Sequence, residues 1–157
     1  MKIVLLQIDK TQDAYISEGA EIYVKRLQHY TAFDYRTIQV PKQVRQRSFA
    51  EQKAEEAKLI LAEIAAEDQL ILLDEKGKEM SSVEFSKYIQ QKQNAAHKRL
   101  YFLIGGPFGF DESVYKRANG KISLSKMTFS HQMVRLFFVE QLYRAFTILK
   151  GEKYHHE

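Results

Sequence analysis

Gly105 and Gly106 stand directly after an apolar run in "YFLIGGPFGF" (residues 101–110), with Pro107 and Gly109 close behind. Glycines let a planar ligand reach main-chain donors and acceptors with no Cβ in the way, as recognition of an adenine ring requires. The spacing G-G-x-x-G is neither the dinucleotide fingerprint nor the P-loop, and Pro107 removes one amide from any phosphate cradle, so the loop reads as a flat wall or as a simple tight turn. Two other apolar runs end in comparable ways. "LILLDEKGKE" (70–79) passes from leucines into charge, and "ISLSKMTFSHQ" (122–132) supplies the hydroxyls of Ser123, Ser125 and Thr128. Hydroxyl residues are common in turns, but ligands of open α/β sheets bind outside the carboxyl ends of strands, and here three such ends are candidates together. On this reading a branched side chain at Gly105 would close the adenine wall and leave the fold intact.

The elements that position these ends follow from hydrophobic patterning. Apolar runs ("KIVLLQ", "FDYRTIQV", "QLILL", "RLYFLI", "KISLS") alternate with helical patterns over 13–29, 48–65, 81–94, a short helix from about 111, and 131–150. That alternation, with nearly continuous apolar strands, predicts an α/β fold: a mostly parallel sheet with helices on both faces. Ser81 and Glu84 have capping-box spacing and set the start of the fourth helical pattern. Residues 40–56, "VPKQVRQRSFAEQKAEE", are the one candidate flexible segment, either a surface loop plus exposed helix or an arm that touches a partner. The last helical pattern, "HQMVRLFFVEQLYRAFTILK", is apolar on more than one face, which predicts cover on both sides, one of them a second copy of the chain.

The 157 residues fit a single domain (1–157), with no linker or repeat to divide them. There is no cysteine, which excludes disulfide frameworks, thiolate metal sites and cysteine nucleophiles, and the five histidines lack ligand spacing, so no metal is expected. The N-terminal "MKIVLLQIDK" reads as a strand rather than a signal peptide, and no apolar stretch approaches the ~20 residues of a membrane span. A cytoplasmic protein is expected. Of the net charge of +4, residues 113–157 hold eight Lys/Arg against three acids, while residues 1–112 hold 16 against 17. A basic last third draws a polyanion such as RNA.

Taken together, "LIGGPFGF", "ISLSKMTFSHQMVR", "EQLYRAF" and "GEKYHHE", with the "MKI" opening, "YVKRL" and "LDEKGKEMSS", resemble the small SPOUT-superfamily methyltransferases that modify N3 of a pseudouridine in 23S ribosomal RNA. The resemblance spans nearly the whole chain. It implies a trefoil knot in the C-terminal part, a homodimer, S-adenosyl-L-methionine as methyl donor, and 23S rRNA in the large subunit or assembled ribosome as partner. By motif it assigns cofactor contacts to Leu73, Gly105, Leu124, Ser125, Lys126, Met127, Thr128 and Phe129. For the loss of the N3 proton it points to His131, Arg135, Arg144 and Tyr143, and to the tail residues Tyr154, His155 and His156, which it places over the cofactor. The chain departs from the family pattern at Ser130, where proline often precedes the histidine. Two other readings stay open on composition alone: a nucleotide-binding hydrolase or phosphotransferase, and a basic RNA-binding module without chemistry.

Overall fold

A computed structural model describes residues 1–156. Eleven elements follow in chain order: β1 (Lys2–Ile8), α1 (Ala14–Leu27), β2 (Phe33–Ile38), α2 (Lys42–Arg45), α3 (Phe49–Glu63), β3 (Gln69–Glu79), α4 (Ser82–Asn94), β4 (Arg99–Ile104), α5 (Glu112–Arg117), β5 (Gly120–Ser123) and α6 (Met133–Leu149). The strands form one sheet in the order β2-β1-β4-β3-β5. Every pairing is parallel, so the expected "mostly parallel" sheet is wholly so.

Strand side chains alternate between faces, and the alternation divides the core in two. Ile3 and Leu5 of β1 and Leu100, Phe102 and Ile104 of β4 pack beneath α1, α4 and α6, against Ala20, Ile89 and Phe138. Val4, Leu6, Tyr101 and Leu103 point the other way, against Val44 of α2, Ala57 and Ile60 of α3 and Val114 of α5. Both faces being covered is why the central strands β1 and β4 are nearly continuously apolar, whereas the edge strand β2 alternates polar and apolar residues over most of its length.

Local chemistry sets the boundaries. The Ser81 hydroxyl accepts from the Glu84 amide while the Glu84 carboxylate accepts from the Ser81 amide, the expected capping box. Ser48 and Asp111 cap α3 and α5 without the return bond, each side chain accepting one backbone amide, from Glu51 and Ser113. Residues 40–56 are the helical alternative rather than a free arm, with more burial than a surface loop would have. They form α2 and the first turns of α3, because Val40 and Val44 are buried and the buried Gln52 side chain donates to the carbonyls of Arg45 and Arg47. The last helix starts at Met133 rather than His131, with the Met133 amide held by the Ser130 hydroxyl at 3.0 Å. At its other end Gly151 adopts φ 68°, and the amides of Gly151 and Glu152 return to the carbonyls of Ile148 and Thr147, reversing the chain as the Lys150-Gly151 pair suggests.

Candidate active site

The carboxyl ends of β3, β4 and β5 are neighbours, and a cavity of about 480 Å³ opens between them. Leu73 is the last residue of β3 paired with β4, opposite Ile104, and it also faces Ile122 of β5. The chain then leaves the ladder and returns, so that Lys78 faces the same Ile122 and Glu79 faces Ser123. Residues 74–77 are thereby looped out onto the cavity rim. Gly77 makes this possible: a Cβ there would lie 2.5–2.7 Å from the main chain of Ile122. Its importance was not legible in the sequence, where it is one glycine among charges.

The glycine loop is the tight turn the sequence allowed, and it also lies on the cavity. It is a tight reversal, with the Gly109 amide returning to the Gly106 carbonyl at 3.3 Å and Gly109 at φ 78°, and Gly105, Gly106 and Gly109 also line the cavity. The reason for glycine at 105 needs correction, however. A Cβ there would meet the Phe110 ring at 2.8–3.3 Å, so the missing side chain makes room for a core aromatic. A branched residue at 105 would displace Phe110 and disturb packing; the expectation of an intact fold does not hold.

At the third end the hydroxyls are engaged in shaping the loop. Ser123 Oγ donates to the Ser125 carbonyl, Ser125 Oγ accepts from the Met127 amide, and Thr128 Oγ1 donates to Glu75 at 3.1 Å, joining this loop to the 74–77 excursion. Asp74 accepts from Tyr115, whose phenol is pushed up to about 12 by burial first and this bond second. Of the cofactor residues expected, Leu73, Gly105, Leu124, Ser125, Met127, Thr128 and Phe129 line the cavity, while Lys126 is exposed and does not. Asp74, Glu75, Tyr115 and Val134 line it too and were not anticipated.

The candidates for proton chemistry fall into three places. His131 lines the cavity, and burial, followed by the charges of Arg135 and Arg45, lowers its pKa from the ordinary histidine value. A ring so placed is neutral at neutral pH and able to accept a proton. Arg135 requires a correction, because its side chain is wholly buried. Its guanidinium donates to the carbonyls of Ile8 (2.7 Å) and Asp9 (2.9 Å) and to Thr11 Oγ1, and its Nε to the His131 carbonyl. It fastens the start of α6 to the end of β1 and has no surface left for a substrate; through the His131 carbonyl it positions that residue.

Arg144, Tyr154 and His155 form a separate cluster around Glu140. Arg144 donates to Glu140 Oε1, as i,i+4 spacing allowed, and lies 3.2 Å from His155 Nδ1 and over the Tyr154 ring. Tyr154 Oη donates to the same Glu140 oxygen at 2.9 Å, and its ring meets Tyr143 edge-on. Burial first, then the bonds to Tyr23 and Glu140, raises the Tyr154 phenol well above its usual value. His156 is exposed. The described tail residues are therefore folded back onto α1 and α6, not frayed, but none of them lines the cavity of its own chain, in contrast to the expected position over the cofactor. A second cavity of about 350 Å³ connects the two regions: Glu140 and Phe137 line it, and it shares Ile122, Ser123, Leu124 and Phe129 with the first.

The all-parallel α/β sheet brings three strand ends, rimmed by the carboxylates of Asp74 and Glu75, to one cavity, the place where ligands of open α/β sheets bind. The family model described as "Predicted SPOUT methyltransferase" matches residues 1–155, and the chain belongs to that family. It is 61% identical over 156 residues to the Ribosomal RNA large subunit methyltransferase H of Cytophaga hutchinsonii, covering 99% of this chain and 100% of that one. The proteins of the same name from Flavobacterium johnsoniae and Bacteroides thetaiotaomicron are 54% and 49% identical over 157 residues, with both chains fully covered in each case. The chain is thus a methyltransferase by family. Among the described residues no helix is long and apolar enough to cross a membrane, and no group of three or more His, Asp or Glu is placed to hold a metal ion.

Proposed function

We propose that this enzyme binds S-adenosylmethionine in the strand-end cavity and transfers its methyl group to N3 of a pseudouridine in the 23S rRNA of the large ribosomal subunit. The observation that carries the reading is the convergence of all three strand ends expected to contact the cofactor on one cavity of about 480 Å³. The residues present fit such a group. Main chain at Gly105 and Gly106 suits a flat purine, and Asp74 and Glu75 at the rim complement a ligand carrying sulfonium and ammonium charges. The cofactor supplies an already activated methyl group, so the protein must orient the acceptor nitrogen and manage its proton. N3 loses that proton as its lone pair takes the methyl. On this reading His131 accepts it, and the Arg144 guanidinium, brought by a second subunit, stabilises the negative charge that develops on the ring.

Arg144 and Tyr154 reach the cavity only if a second subunit brings them, so the proposal includes a homodimer. An exposed apolar surface on this side supports it: Tyr15 and Ile22 of α1, Phe137 of α6 and the loop residues Met127 and Phe129 are 64, 52, 40, 77 and 36% exposed. Tyr15 touches Met133, one turn from Phe137, and Phe137 lies 5.0 Å from Phe129, which makes the surface continuous. The knotted path of the C-terminal segment typical of the family belongs to the same reading, as does a cytoplasmic location.

Isothermal titration of the protein with S-adenosylmethionine, ATP and an RNA hairpin, followed by methyl transfer to unmodified ribosomes, tests the proposal. Binding of the first and transfer to rRNA are expected. Removing residues 153–157 should leave cofactor binding intact and nearly abolish transfer. ATP binding in place of S-adenosylmethionine would overturn the function, and a truncated dimer that methylates at the full rate would overturn the role of the tail.

A further inference from the structure

Phe49 and Phe108 are stacked on each other in the open. Their ring centroids are 4.0 Å apart with planes 24° from parallel, yet Phe49 is 63% exposed and Phe108 36% exposed. Neither belongs to the core on either face of the sheet. Phe49 is the first residue of α3, and Phe108 is the tip of the glycine reversal, so the stack stands at the lip of the cofactor cavity. Burial does not explain a stack left this open to solvent.

Charges of both signs surround the stack, Glu51 being exposed on the same first turn of α3. Lys42 and Arg45 lie on α2, Arg47 follows it, and Lys53 shares the Phe49 face of α3 at i,i+4 spacing. Arg45 is held by Asp9 and Glu56, and Arg47 approaches Glu55 only at 3.7 Å. The Asp111 carboxyl is lowered chiefly by its hydrogen bonds from Ser113, with the charge of Lys53 contributing last. An open aromatic face with a lysine one turn away suits a nucleic-acid chain: a base stacks on the ring and a phosphate meets the cation.

We propose that the Phe49–Phe108 stack is a platform for an unpaired nucleobase flanking the target nucleotide, with Lys53, one turn along α3 from Phe49, at the adjoining phosphate. The proposal rests on the rRNA methyltransferase reading above. N3 lies on the pairing edge of the ring, so the target must leave its pair before it can react, and a neighbour held by stacking stabilises that opened strand beside the cofactor.

The test compares the full-length protein with Phe49→Ala, Phe49→Leu and Phe49→Trp in methyl transfer to unmodified ribosomes and in titration with S-adenosylmethionine. Phe49→Ala should raise KM for ribosomes about tenfold or more, with the loss falling on KM rather than kcat and cofactor affinity unchanged. Trp should restore KM and Leu should not, because stacking needs a π face. Wild-type protein that binds S-adenosylmethionine but methylates no ribosome defeats the underlying function. Wild-type protein that methylates while Phe49→Ala keeps its KM defeats the platform alone. Weakened cofactor binding in Phe49→Ala would make the stack a brace for the glycine loop, and rescue by Leu would make it an apolar contact for a protein; either result overturns the proposal.

Discussion

Gly77→Ala tests the geometry that builds the cavity rim. The new Cβ would sit 2.5 Å from the Ile122 carbonyl carbon, 2.6 Å from its nitrogen and 2.7 Å from its Cα. Ordinary carbon contacts are ~3.5–4.0 Å, so β3 and β5 must separate by about 1 Å. Because the obstacle is main chain, no rotamer change relieves it. The separation breaks the second set of pairings, Lys78 with Ile122 and Glu79 with Ser123. Lost hydrogen bonds at roughly 1 kcal/mol each and overpacking at about 1–3 kcal/mol destabilise the fold, while alanine's smaller unfolded-state entropy offsets about 0.4–1 kcal/mol. A net loss of about 2–4 kcal/mol follows from these terms. Since Asp74, Glu75 and Lys76 lose their anchor, affinity for S-adenosylmethionine should fall by about tenfold or more, the effect of ~1.4 kcal/mol. Urea denaturation followed by circular dichroism reads the first quantity and calorimetric titration the second. A variant within 0.5 kcal/mol of wild type that binds the cofactor equally well would refute the argument that this close approach forms the rim.

Neighbouring phenylalanines on α6 should behave differently. Phe138 is fully buried, 4.8 Å from the Phe102 ring, so Phe138→Glu should prevent folding, whereas Phe137→Glu, at an exposed position, should fold as a monomer. Sedimentation checks both, and a monomeric wild type at micromolar concentration sinks the dimer. Arg135→Met should cost roughly 3–5 kcal/mol in urea denaturation by stranding the Ile8 and Asp9 carbonyls. Near-wild-type stability combined with lost methyl transfer would instead return Arg135 to the chemistry. His131 has a folded pKa below its ordinary 6.5, so the unfolded chain binds more protons between the two values. Stability should be complete above about pH 6.5 and fall as pH drops through the folded value; His131→Asn should flatten that part of the stability profile, and an unchanged slope would show the histidine to be unperturbed.

Much of this protein was determined by the sequence alone. Strand and helix alternation, the capping box at Ser81, the stop at Gly151 and the three strand ends are local patterns, and local patterns report on hydrogen bonding and burial within a few residues. The likeness to SPOUT methyltransferases was likewise carried by contiguous motifs, and the family model bears it out. Tertiary structure decided what depends on residues far apart in the chain. Arg135 looked like a basic catalytic candidate until carbonyls more than 120 residues away took up its guanidinium. Gly105 looked like a ligand wall, but the Phe110 ring behind it sets its size. Gly77 had no signal of its own, because the need for glycine there comes from the main chain of Ile122, 45 positions later in the numbering. Periodicity records which side of an element faces the core; which backbone approaches which is settled only when β3 and β5 pair twice around one residue.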